Sequence, residues 1–110
     1  MKYGDIYSVE IPSSDDHEQA GIRPAIIVQT LKAQLPTIVI VPLTAKLAAL
    51  SFTATFRIVP DEENHLTTES VALVFQLRAI DKKRLKSKIG NLSEKYLKEL
   101  KAQLKFLLNI

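Results

Sequence analysis

The sequence predicts an α+β fold that is mainly β: a strongly bent antiparallel sheet or small barrel, followed by one C-terminal helix. Three observations support this class. The chain of 110 residues is long enough for a single domain spanning 1–110, and it has no cysteine for a disulfide framework. Short apolar or alternating segments follow one another up to residue 92 without strand–helix alternation. A helical period begins only at Ser93.

Six segments have the pattern of strands. They cover, in chain order, residues 4–12, 24–30, 37–44, 53–60, 69–80 and 87–92. The first alternates between two faces and stops at Pro12, whereas 24–30 and 37–44 are β-branched runs typical of strands covered on both faces. Residues 46–51 fit either a loop or one helical turn, and residues 81–85 break the strand pattern.

The last part of the chain predicts an amphipathic helix of about four turns. Ser93 is a suitable N-cap, and Glu94 suits the positive end of the helix dipole. Leucines recur at three- and four-residue steps with lysines between them, at Leu97, Leu100, Leu104, Leu107 and Leu108. We expect this stripe to pack on the sheet; a helix lying on a membrane surface is the less common alternative.

Charge is distributed unevenly along the chain. Residues 1–80 carry six Lys/Arg and nine Asp/Glu, whereas residues 81–110 carry nine Lys/Arg and three Asp/Glu. This asymmetry fits a polyanionic partner, and equally a lysine-covered solvent face. Without cysteine, and with two histidines far apart, the sequence does not indicate a metal site. No apolar run is long enough to span a membrane, so a cytoplasmic protein is expected.

Arg23 is a candidate phosphate ligand. Pro24 forces its predecessor into extended geometry, and Gly21 frees the preceding backbone from Cβ restrictions. A guanidinium mounted in this way is planar, always charged and able to bind phosphate in bidentate fashion. The alternative is a structural salt bridge from Arg23 to Asp16 or Glu18.

Two further side chains have suitable chemistry near this loop. Pro42 lacks a backbone donor, so we expect it at a sheet edge or a bulge, and Thr44 then ends an apolar strand with a hydroxyl or simply caps it. His17 is a candidate for proton transfer, because the pKa of histidine lies near physiological pH. His17 is otherwise a solvated loop residue, as we expect His65 to be.

Polar residues return late in the chain. Gln76 and Arg78 share one face if residues 69–80 alternate as a strand, with Asp81 at the strand end. They would position a ligand there. Arg78 and Asp81 pairing with each other is the alternative.

Together these segments resemble the MazF/PemK (Kid-like) toxins of bacterial type II toxin–antitoxin systems. The resemblance rests on GDIY at 4–7, HEQAGIRPAIIV at 17–28, VIVPLT at 39–44, QLRAIDKKRL at 76–85 and KIGNL at 88–92. It implies an SH3-like, CcdB-type barrel with a C-terminal helix, assembled as a homodimer. It also implies a metal-independent, cofactor-free endoribonuclease that cleaves single-stranded mRNA and is neutralised by a cognate antitoxin. The 2′-hydroxyl would attack, leaving 2′,3′-cyclic phosphate and 5′-hydroxyl ends.

The same resemblance implies roles for individual residues. Arg23, Thr44 and His17 match catalytic positions of the family. Glu18 and Gln19 would order the loop and touch neighbouring nucleotides. Gln76 and Arg78, in the matching "Q-x-R" segment, would bind RNA.

One departure from the family pattern affects the expected mechanism. Phe75 and Leu73 stand where relatives carry an acidic and a basic residue. Phe75 would stack on an unpaired base or, more commonly for this pattern, pack in the core. A catalytically weakened RNA-binding module is therefore one alternative function. A CcdB-like gyrase inhibitor is another, although that action depends on a C-terminal tryptophan, which this chain lacks.

Overall fold

The structure, a computed structural model, describes residues 1–12, 21–29 and 34–110. These residues form a seven-stranded antiparallel sheet and one helix. The strands are β1 (Asp5–Ile11), β2 (Gly21–Ile27), β3 (Thr37–Thr44), β4 (Thr55–Ile58), β5 (Ser70–Leu73), β6 (Arg78–Asp81) and β7 (Leu85–Asn91). The helix α1 spans Glu94–Leu108. This architecture confirms the predicted class, a compact barrel-like sheet with a C-terminal helix.

Connectivity closes part of the sheet into a barrel. The order is β4-β5-β3-β2-β1-β7, and β6 pairs with β3 as well. Since β6 and β7 lie at opposite edges of the five-stranded part but are joined by the short 3-10 turn Lys82–Arg84, that part must curl. The closure is visible in a long-range bond, because Arg78 Nη1 donates to the carbonyl oxygen of Pro12 at 3.4 Å.

The central strand β3 changes neighbours halfway along its length. On one side it pairs with β6 through Ile40 and with β5 from Leu43 onward, while Pro42 lies opposite Ala25 of β2. Of the two expected positions, a sheet edge or a bulge, Pro42 does not lie on an outer edge; it lies at an interruption in the pairing of β3. Proline fits here because Pro42 lies between the last pair with β6 and the first pair with β5.

Two hydrophobic cores lie on opposite faces of the curled sheet. The barrel interior is filled mainly by β-branched residues, namely Val9, Ile11, Ala25, Ile27, Ile38, Ile40 and Ile80. The second core lies between the outer face, β4, β5 and α1, and contains Ile6, Ile26, Val41, Leu43, Ala54, Phe56, Ile58, Ala72, Val74, Leu92, Tyr96 and Leu100. Since β1, β2 and β3 contribute to both cores, burial of both faces accounts for the continuous apolar runs.

The leucine stripe of α1 packs on the sheet as predicted, but not along its whole length. Leu100 is fully buried and Leu97 and Leu104 pack beside it, whereas Leu107 and Leu108 remain exposed. Ser93 occupies the N-cap position, yet its side chain makes no capping hydrogen bond. No helix within the described ranges is both long and apolar enough to cross a membrane.

The predicted strand 69–80 is interrupted in the structure. The 3-10 turn Val74–Gln76 separates β5 from β6, because the chain must pass there from one partner region of β3 to the other. The ambiguous segment 46–51 contains a 3-10 turn at Leu47–Ser51. A local sequence pattern indicates which residues are buried, and residues on both sides of the turn at 74–76 are buried. It does not indicate that β3 pairs with β5 on one side of this turn and with β6 on the other.

Candidate functional site

Arg23 lies near the start of β2, in the extended geometry expected before proline. Gly21 begins the strand with a φ of 86°, a conformation that L side chains rarely adopt. Arg23 then pairs with Val9, and Pro24 with Ser8. The backbone that carries Arg23 is thus held in a ladder with β1, while its side chain remains exposed at the surface.

Thr44 ends β3 in a more enclosed position. Its side chain is only 5% exposed, and it pairs with Val71 of β5. The backbone N–H of Lys46 donates to Thr44 Oγ1 at 3.2 Å. This bond uses an acceptor site of the hydroxyl, so the hydroxyl hydrogen is left to donate to a bound oxygen.

The strand register gives Arg23 and Thr44 corresponding positions on neighbouring strands. The last pair between β2 and β3 joins Ala25 to Pro42. Arg23 lies two residues before Ala25 in β2 and Thr44 two residues after Pro42 in β3, so continuing the antiparallel register puts them opposite each other on one face. A cationic group and a hydroxyl therefore stand at one end of the β2–β3 pair, an arrangement suited to binding a phosphate.

Arg78 and Gln76 do not share a regular strand face. Gln76 ends the 3-10 turn and Arg78 begins β6. The guanidinium of Arg78 donates to the carbonyl oxygen of Pro12, and Asp81 Oδ1 accepts the N–H of Lys83. Arg78 therefore helps to fix the end of β1, close to the start of β2 where Arg23 lies.

Phe75 is a surface residue. Its side chain is 36% exposed in the 3-10 turn, and its ring lies 5.2 Å from that of Phe52 at an angle of 43°. The interpretation of Phe75 as a core residue is therefore wrong; the turn at 74–76 lifts it out of the apolar strand. Leu73, by contrast, is buried in β5. Because Thr44 pairs near the start of β5 and Phe75 follows its end, the two lie toward opposite ends of that strand.

An exposed apolar surface surrounds Phe52. It comprises Leu47, Leu50, Phe52 and Phe106, with Phe75 at its border, and Phe52 and Phe106 are 58% and 65% exposed. A shallow groove of about 440 Å³ lies between the last turns of α1 and the segment before β4, lined by Leu50, Phe52 and Phe106 among others. The only sign of this surface in the sequence is Phe106, a large apolar residue that lies outside the leucine stripe of α1.

Several predicted site residues lie outside the described residues. They are His17, Glu18 and Gln19, together with Asp16, the proposed alternative partner of Arg23. His65, in the turn before β5, is exposed as expected. Within the described ranges, no three His, Asp or Glu side chains are grouped as metal ligands.

Comparison with known proteins places the chain in one family. Residues 2–108 match the model of the PemK-like, MazF-like toxins of type II toxin–antitoxin systems. Endoribonuclease MazF of Staphylococcus saprophyticus is 33% identical over 102 residues, covering 91% of this chain and 84% of that protein.

Solved structures agree with the fold. MazF (Form-I) from Deinococcus radiodurans has a TM-score of 0.81 at 20% identity, covering 100% of this chain and 97% of that one. A mycobacterial endoribonuclease in complex with its cognate antitoxin has a TM-score of 0.78 at 15% identity, covering 100% and 96%. These identities support the fold alone, whereas the match over residues 2–108 establishes the family. The chain belongs to the PemK-like, MazF-like toxins of type II toxin–antitoxin systems.

Proposed function

We propose that the protein is an endoribonuclease toxin that cleaves single-stranded RNA, chiefly mRNA, in a sequence-selective manner without a metal ion or other cofactor. The family match and a relative named as an endoribonuclease support the activity. The observation that carries the site assignment is the matching placement of Arg23, near the start of β2, and Thr44, at the end of β3.

In the proposed reaction the RNA supplies its own nucleophile. The 2′-oxygen attacks the adjacent phosphorus, its proton passes to a base, and the bond from phosphorus to the 5′-oxygen breaks. The products are a 2′,3′-cyclic phosphate and, after protonation, a 5′-hydroxyl. DNA lacks the attacking group and is not cleaved.

Arg23 and Thr44 act on the phosphoryl oxygens, where negative charge builds up in the transition state. Arg23 neutralises that charge and, because a guanidinium stays protonated, does not serve as a base. Thr44 donates its hydroxyl hydrogen, since Oγ1 already accepts the N–H of Lys46. Proton transfer is assigned to His17 by resemblance to the family.

RNA on either side of the cleaved bond contacts further residues. Glu18 and Gln19 order the loop before β2 and touch neighbouring nucleotides, and Gln76 and Arg78 bind the strand near β6. Phe75 stacks on an unpaired base. Its partial exposure, beside the ring of Phe52, supports this role. In this proposal Phe75 contributes to RNA binding and takes no part in proton transfer, which is assigned to His17.

Two protein partners complete the proposal. A second copy of the chain covers the apolar surface of Leu47, Leu50, Phe52 and Phe106. Grouped exposed apolar side chains of this kind often mark a protein–protein interface. A cognate antitoxin neutralises the toxin in the cytoplasm, where its mRNA substrate is found. Two of the similar solved structures, a mycobacterial endoribonuclease with its cognate antitoxin and MazE-MazF (Form-II) from Deinococcus radiodurans, support this partner.

One incubation tests the activity. Purified protein is mixed with a long unstructured RNA in EDTA, and the fragment ends are mapped. Discrete fragments with 5′-hydroxyl ends, lost in Arg23→Ala and Thr44→Val, are expected. Intact RNA that remains bound would instead identify an RNA-binding module. A gyrase inhibitor would be identified by a separate incubation with gyrase and DNA, in which cleaved gyrase–DNA complexes accumulate.

A further inference from the structure

The turn that joins β6 to β7 is basic and firmly built. We use the name basic turn for Lys82, Lys83 and Arg84 of this turn together with Lys86, near the start of β7. Its backbone is held at three points: Lys82 N–H donates to the carbonyl of Pro36 at 3.1 Å, Lys83 N–H to Asp81 Oδ1 at 2.9 Å, and Leu85 N–H to the carbonyl of Lys82. Its side chains therefore project from a fixed base, which lowers the entropic cost of holding a ligand.

Most of the charge on the basic turn is not neutralised by the protein. Arg84 Nη1 lies 2.9 Å from Glu10 Oε1, and the nearby Lys88 Nζ lies 3.6 Å from Asp5 Oδ1. Lys82, Lys83 and Lys86 form no ion pair with any carboxylate in the part of the chain that the structure describes. Three ammonium groups thus remain for an external anion.

The basic turn lies beside the phosphate site. Val9 pairs with Arg23 on one side and with Leu85 on the other, so Arg23 and the end of the turn are separated by two strand spacings, roughly 10 Å. A β-bulge at Lys86 interrupts the β1–β7 register, since Ser8 pairs with Ser87 and Val9 with Leu85. Bulges twist a strand and redirect its side chains.

We propose that Lys82, Lys83 and Lys86 form a track for the phosphates of single-stranded RNA that flank the cleaved bond. This inference rests on the proposed ribonuclease function. Flanking phosphates carry no sequence information, so the track supplies affinity and orientation while base contacts set the sequence. It also gives a role to the positive charge of residues 81–110, part of which lies next to Arg23 and not on the helix.

The salt dependence of RNA binding tests the track. The triple variant Lys82→Gln/Lys83→Gln/Lys86→Gln is compared with Lys98→Gln/Lys101→Gln/Lys105→Gln, which removes the same charge from α1. Affinity is measured by fluorescence anisotropy on a 2′-O-methyl RNA oligonucleotide, which is not cleaved. In the turn variant the slope of log K against log salt should fall by about 2, since each lost phosphate contact changes it by about 0.7, and binding at low salt should weaken roughly tenfold.

The helix variant and one further variant distinguish the track from a general loss of positive charge and from a folding defect. The helix variant should keep the wild-type slope, and Lys82→Arg/Lys83→Arg/Lys86→Arg should retain tight binding. On a long RNA the turn variant should raise KM with little change in kcat. Equal losses in the turn and helix variants, or an unchanged slope in the turn variant while the wild-type protein cleaves RNA, would overturn the proposal. A wild-type protein that binds RNA without cleaving it would refute the proposed enzyme and leave the track standing.

Discussion

Arg23 and Thr44 occupy matching positions on β2 and β3, two residues beyond the last backbone pair of those strands. One side chain is exposed and the other is almost fully enclosed. The pair thus combines an exposed cationic group with a hydroxyl that is enclosed by packing. This division predicts different responses to mutation at the two positions.

Replacing Arg23 should abolish most of the chemistry without harming the fold. Arg23→Ala is expected to lower kcat by about 10²–10³, the usual effect of removing one donor to a transition-state oxyanion. Arg23→Lys should recover only part of this, because an ammonium cannot bind phosphate in bidentate fashion. Single-turnover cleavage in EDTA measures both. Arg57→Ala, at an exposed arginine paired with Glu69, is the matched control, and a similar loss there would refute the assignment.

Thr44 can be tested with two variants of similar stability cost. Thr44→Val removes the hydroxyl that accepts the N–H of Lys46, and Thr44→Ser removes a buried methyl; each should cost about 1 kcal/mol of unfolding free energy. Only Thr44→Val should lose cleavage. Rates measured beside urea unfolding curves separate the hydroxyl's role in catalysis from its role in packing. Full activity of Thr44→Val would exclude that hydroxyl from the reaction.

Phe75 should contribute to RNA affinity through its aromatic face. Phe75→Leu keeps an apolar side chain but removes the ring, and binding of a 2′-O-methyl RNA should weaken by about 1–3 kcal/mol, as for the loss of one stacked base. Phe75→Trp should retain tight binding. Anisotropy titrations provide the measurement, and equal affinity of the leucine variant would place the RNA elsewhere.

The apolar surface should govern the oligomeric state. If the proposed dimer forms through this surface, Phe106→Glu places like charges across a two-fold interface and should give a monomer in sedimentation velocity, where the wild-type chain is expected to sediment as a dimer. Leu35→Glu changes another exposed apolar residue, in the segment before β3 and outside this surface, and should remain dimeric. A dimer that survives Phe106→Glu would show that another face associates.

The junction between α1 and the sheet depends on one buried phenol. The N–H of Val59 donates to Tyr96 Oη at 2.9 Å, and the Tyr96 ring stacks on Phe56. Tyr96→Phe keeps the stacking but leaves that N–H without its acceptor, so unfolding in urea should lose about 1–2 kcal/mol with an unchanged m-value. Cleavage should be unaffected, because Tyr96 faces the core away from Arg23. An unchanged midpoint would mean that water replaces the phenol.

Sequence patterns predicted those features that depend on neighbouring residues in the chain. The strand at 37–44 and the helix after Ser93 each carry their period within a few residues, and both are confirmed. The interruption at 74–76 was missed, because it follows from a change of partner along β3 that no local pattern encodes. Barrel closure likewise brings together residues far apart in the chain, as in the hydrogen bond from Arg78 to Pro12, 66 residues away.

The candidate site divides in the same way. Arg23 and Thr44 were identified by chemistry and by resemblance, yet their matching placement is a property of strand register and appears only in the fold. The exposure of Phe75 was mispredicted for a related reason. An apolar residue between apolar neighbours is typical of a core, and only the turn between β5 and β6 reverses its direction.

The position of β3 between three partner strands and two cores has a consequence for how long the toxin persists in a cell. A strand that is hydrogen-bonded to β2, β5 and β6 and buried on both faces opens only when the whole domain unfolds. Proteases cleave segments that open locally, so we expect β3, which carries Thr44, to resist cleavage while the domain stays folded. The lifetime of the active toxin would then be set by global unfolding or by capture of the folded protein, and a cell that must silence it quickly needs a binding partner.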